Sequence, residues 1–81
     1  MSLTDCQKKL QFQASRRSTR EMEELMHLFL QRHLTQLSQD DCEKILQLLD
    51  WPDVQLYDWI TGLQSPPPQV DKELINWIRH P

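Results

Sequence analysis

A single glycine, two cysteines and the lack of any long apolar run restrict what these 81 residues can form. With so little glycine, few β-branched residues and apolar positions recurring at helical spacing, β-strands have almost no support. Cys6 and Cys42 are too few for the disulfide framework of a small secreted domain, so they read as reduced, small hydrophobes. No segment approaches the ~18 consecutive apolar residues of a membrane span, and the N-terminus lacks a secretory hydrophobic region. Residues 1–20 are basic enough to suggest a mitochondrial presequence, but Asp5 and their fit to a short first helix argue against removal. The expectation is a full-length, soluble, cytoplasmic protein without membrane insertion.

Metal chemistry finds no support either. His27, His33 and His80 do not fall at a ligand spacing, neither cysteine belongs to a CxxC unit, and no HExxH is present. Enzymatic activity is disfavoured by size, because the 38% apolar content must first supply a core, whereas enclosed sites need roughly several hundred Å³ of concave lining. A chain this short buries only about 60% of the surface its unfolded form exposes. A single binding domain over residues 1–81, rather than an enzyme, is therefore expected.

What is present is helical. Thr4 and Gln7 are placed as a capping box for a first helix reaching about Ala14, with a loose apolar set of Leu3, Cys6, Leu10 and Phe12. Met22, Leu25, Met26, Phe29 and His33 trace one face of a second helix, widened by Leu28 and Leu30. So broad a stripe predicts several neighbours and a central position. Ser38 caps a third helix whose inward face is Cys42, Ile45, Leu46 and Leu49, and Asp40, Asp41 and Glu43 suit its N-terminal dipole. Pro52 breaks the pattern and fits the first position of a fourth helix carrying Leu56, Trp59, Ile60 and Leu63, with Gly62 near its end. Ser65-Pro66-Pro67-Pro68 reads as a stiff spacer before a last helix with Val70, Leu74, Trp77 and Ile78 inward. Trp59 and Trp77 keep their helical registers and read as core, while Trp51, at a helix junction, is expected to be partly exposed. The fold class is all-α, a small five-helix bundle.

The most informative segment is Arg16-Arg17-Ser18-Thr19-Arg20-Glu21, where the charge changes sign. Residues 1–20 carry a net +4 and residues 21–81 a net −7, a seam that marks a recognition surface. Ser18-Thr19-Arg20-Glu21 matches S-x-x-E, so Ser18 is expected to cap the second helix while Glu21 reaches back to the cap amide. If the helix extends back to Arg17, Arg17 and Glu21 share a face. The cluster of Lys8, Lys9, Arg16, Arg17 and Arg20 can hold phosphates, but the acidic remainder repels a polyanion and no nucleic-acid motif accompanies it. Nucleic acid is thus not the expected partner.

Taken together, Arg16-Arg17-Ser18-Thr19-Arg20-Glu21-Met22-Glu23, Leu37-Ser38-Gln39-Asp40-Asp41, Leu48-Leu49-Asp50-Trp51-Pro52-Asp53 and Leu56-Tyr57-Asp58-Trp59 resemble the SdhE/YgfY family of succinate dehydrogenase assembly factors. The resemblance spans roughly residues 8–79 and implies a five-helix protein that promotes covalent attachment of FAD to the flavoprotein subunit of succinate dehydrogenase or fumarate reductase. The FAD would belong to the client, with no cofactor held stably by this chain. The family signature RGxxE maps onto Arg17 and Glu21 with Ser18 in place of its glycine, so Arg17, Ser18 and Glu21, with neighbours Arg16, Arg20 and Glu23, would contact the client. The chain is expected to act as a monomer. A general helical interaction module of antitoxin-like type is the alternative function.

Overall fold

In a computed structural model, which describes residues 3–81, the helix signals become five α-helices: α1 Asp5–Ser15, α2 Arg20–His33, α3 Gln39–Leu48, α4 Asp53–Thr61 and α5 Lys72–Arg79. A single 3-10 turn, Leu34–Gln36, joins α2 to α3, and the described residues contain no strand. α2 packs against α1, α4 and α5, the central position its broad stripe predicts, while α3 lies on α1.

The start of α1 is capped reciprocally. The Gln7 amide donates to Thr4 Oγ1 at 3.1 Å, and the Thr4 amide donates to Gln7 Oε1 at 3.0 Å. Gln7 is itself buried, and its Nε2 donates to the Leu37 carbonyl at 3.2 Å. One side chain therefore caps a helix and ties it to the α2–α3 connection. Ser38 caps α3 by accepting from the Asp41 amide at 3.1 Å. Pro52 is the N-cap of α4 and not its first helical residue.

Gly62 ends α4 with φ 85°, a conformation an L side chain adopts only with strain. The Arg79 guanidinium reaches the same end from α5, donating to the carbonyls of Ile60 and Trp59, where a cation also complements the helix dipole. A Cβ at position 62 would lie 3.0 Å from Arg79 Nη2, the end of a flexible side chain, so it is the backbone conformation that calls for glycine there.

The core contains Leu10, Met22, Met26, Phe29, Ile45, Leu56, Ile60 and Ile78, all nearly inaccessible. Three residues depart from the expected inward faces. Leu63 is exposed because α4 stops at Thr61, before the helical stripe reaches it, and Leu28 and Phe12 are about half exposed; Val70 is buried as expected, but in the connection preceding α5 and not in the helix. Ile75 and Leu48 supply core contacts that the stripes did not include. Trp59 is buried; Trp51 is half-buried and meets it edge-on at 5.2 Å. Trp77 is also half-buried, set edge-on against Phe29 at 4.9 Å. The ring of His33 joins this pair, and its Nε2 lies 3.1 Å from the Pro81 carbonyl. His33 is the last residue of α2, and its ring serves the C-terminal segment.

Cys6 and Cys42 are free thiols on neighbouring helices. Burial, followed by the hydrogen bond and proximity to Cys6, pushes the Cys42 thiol up to about 12 from 9.0. A raised thiol favours the protonated folded state, so its contribution is intact below pH 9.0 and declines as pH rises from 9.0 towards about 12. Unfolding measured across this range should show a steeper loss for the parent than for Cys42→Ala. Equal slopes would mean that the thiol does not contribute to the alkaline loss.

Candidate partner-binding site

The α1–α2 junction is built around Asp53, the first residue of α4. Its carboxylate accepts from Arg17 Nη1 at 3.2 Å through one oxygen, and from the Ser18 amide at 2.6 Å and Ser18 Oγ at 2.9 Å through the other. Arg17 Nη1 also donates to the Leu49 carbonyl at 3.0 Å. The pair is largely withdrawn from water, with side-chain exposures of 11% for Arg17 and 5% for Asp53. Arg17 Nε is buried without a partner. Charge-assisted bonds of this kind fix geometry strongly, and the carboxylate additionally faces the positive end of α4.

This arrangement corrects the expected cap. Ser18 is turned to Asp53, so Thr19 is the N-cap of α2 and accepts from the Met22 amide at 3.3 Å. The S-x-x-E box does not form: the Ser18 amide and hydroxyl both donate to a carboxylate distant in sequence, which holds Ser18 outside the cap position. Because α2 begins at Arg20, Arg17 and Glu21 also do not share a helical face. Thr19→Ala should cost about 1 kcal/mol and speed hydrogen exchange at the Met22 amide. Ser18→Ala should leave the α2 amides protected, and faster exchange at the Glu21 amide in Ser18→Ala, with Met22 unaffected by Thr19→Ala, would restore Ser18 as the cap.

The remaining residues expected at the site are distributed around this latch. Arg17 points inward, whereas Glu21 and Glu23 are exposed and have no ion-pair partner among the described residues. Arg16 lies over the exposed Phe12 ring at 5.1 Å. Arg20 pairs with Glu24 at 3.3 Å, but both side chains are mostly exposed, so the pair contributes little to stability and stays available to a partner. Ser18 is exposed although its polar groups are bound. Its backbone φ is not positive, so this chain's conformation does not demand glycine at position 18.

The junction therefore presents an exposed carboxylate at Glu21 and exposed guanidinium groups at Arg16 and Arg20 from a base fixed by Arg17, Ser18 and Asp53. Asp53 is the residue that sequence reasoning missed. An acidic residue after Pro52 reads as ordinary complement to a helix dipole, and no local spacing connects position 53 with position 17. Among the described residues no group of His, Cys, Asp and Glu is arranged to hold a metal ion.

The comparisons with known proteins concern almost the whole chain. A family profile described as flavinator of succinate dehydrogenase matches residues 8–81. The FAD assembly factor SdhE of Coxiella burnetii (strain RSA 493 / Nine Mile phase I) is 34% identical over 64 residues, which cover 79% of this chain and 78% of that protein. No solved structure matches the chain.

Proposed function

Because this chain belongs to the flavinator of succinate dehydrogenase family, we propose that it is an assembly factor that binds the flavoprotein subunit of succinate dehydrogenase and promotes covalent attachment of that subunit's FAD. The observation supporting a contact role is the exposed Glu21, without an ion-pair partner among the described residues, carried on a helix entrance that Arg17, Ser18 and Asp53 lock in place. Glu21 accepts hydrogen bonds from client donors; Arg16, Ser18, Arg20 and Glu23 border it. Arg17 acts through position, holding the connection to α4, and not by reaching the client.

The reacting groups belong to the client and its flavin, which supplies the electrophilic carbon for the covalent bond. This chain's task is selective binding. It accelerates attachment by holding the client conformation in which a client side chain meets the flavin, and equal affinity for every conformation would shift nothing. Fumarate reductase's flavoprotein subunit is a second client under this reading, and the factor acts as a cytoplasmic monomer. Among the described residues no helix is long and apolar enough to cross a membrane.

The test is expression of the cognate flavoprotein subunit in cells with and without this chain, followed by in-gel flavin fluorescence after denaturation. Covalent flavin should fall strongly without the chain. Equal fluorescence in both strains would overturn the assignment.

A further inference from the structure

Alongside the Glu21 edge runs a groove of about 830 Å³ between the C-terminal half of α1 and the outer face of α2. Its floor is apolar, formed by Ala14, Leu30 and Leu34, and Leu28 stands half exposed on its wall. The α2 wall runs from Glu23 to Leu34, which at 1.5 Å per residue is about 16 Å, or three helical turns. The floor side chains are themselves below a tenth exposed, and Leu28 is the large apolar side chain of the lining that stays open to a partner.

The charge on the walls is one-sided. Glu23 and Glu24 line the groove and no lysine or arginine does, although the basic residues of the chain cluster nearby in sequence. Glu24 is engaged by Arg20, whereas Glu23 has no ion-pair partner among the described residues. An apolar floor with an unneutralised carboxylate at one end is complementary to an amphipathic helix that carries a basic side chain beside its apolar face. Glu24, three residues on from Glu21 along α2, places the junction carboxylate at the rim of the groove.

We propose that this groove seats an amphipathic helical segment of the flavoprotein client, with apolar side chains over Ala14, Leu30 and Leu34 and a lysine or arginine paired to Glu23. The inference rests on the assembly-factor reading and names a second part of its contact surface. Engagement of the groove supplies affinity, while the Glu21 junction bears on the site of attachment.

The purified full chain is titrated with the cognate flavoprotein subunit by calorimetry, comparing the parent with Leu28→Asp, Glu23→Gln and, outside the groove, Val54→Asp. Position 28 is about half exposed and position 54 more so, so these variants should fold, which thermal unfolding verifies. Leu28→Asp should weaken binding at least tenfold and Glu23→Gln about threefold or more, with Glu23→Gln also reducing the dependence of affinity on salt; Val54→Asp should match the parent. Parent-like binding by Leu28→Asp, or equal weakening by Val54→Asp, overturns the groove alone. A parent dimer that Leu28→Asp dissociates without loss of client affinity assigns the groove to a second copy and likewise overturns it. Failure of the parent to bind the subunit removes the assembly-factor reading and the groove inference together.

Discussion

Asp53→Ala should lower stability by about 3 kcal/mol or more, because it strands the buried Arg17 cation and leaves the Ser18 amide without its acceptor. In a domain of this size that is a fall of roughly 15 °C in Tm. The effect belongs to the broken pair and not to the net worth of the interaction, since removing both members of a buried ion pair can be close to neutral. Asp53→Ala combined with Arg17→Met should therefore be more stable than Asp53→Ala alone, and a double-mutant cycle should return a coupling of about 1 kcal/mol or more. A change below about 0.5 kcal/mol for Asp53→Ala, the range of ordinary surface substitutions, would show that the latch is not structural.

Glu21→Ala should give the opposite signature. Its side chain is exposed and makes no ion pair among the described residues, so the stability change should be about 0.5 kcal/mol or less, most of it lost interaction with the α2 dipole. Covalent flavin in the co-expressed subunit should nevertheless drop about tenfold or more, as expected when a charged hydrogen-bonding partner is removed from an interface. Glu21→Gln keeps the shape and some accepting capacity, and should fall between parent and alanine. Parent-level flavin with Glu21→Ala would remove Glu21 from the contact surface. The two substitutions separate fold from function at one junction: Asp53 anchors the chain internally, whereas Glu21 has no ion-pair partner among the described residues.

This division also explains the serine at position 18. The Ser18 amide is the group that meets Asp53 at 2.6 Å, and it would remain with glycine, while the hydroxyl adds a second bond to the same carboxylate oxygen. The substitution thus strengthens anchoring on the inner side of the junction. Its outer side still presents Glu21.

Periodicity and caps were sufficient to determine the helices, because both depend on residues within a turn or two of each other. The Thr4 and Gln7 box, the Ser38 cap and the stripe of Met22, Met26 and Phe29 all appear where local spacing places them. The charge seam likewise singled out the 16–23 segment as the surface to propose. Tertiary structure alone decided which of those side chains are anchored inward and which are exposed. Asp53, 36 residues from Arg17, supplies a low-exposure anion that draws Arg17 inward, takes Ser18 from its expected cap and leaves that role to Thr19. Local propensity has no access to such a competition, since the winning contact exists only after α4 has been brought against the α1–α2 junction.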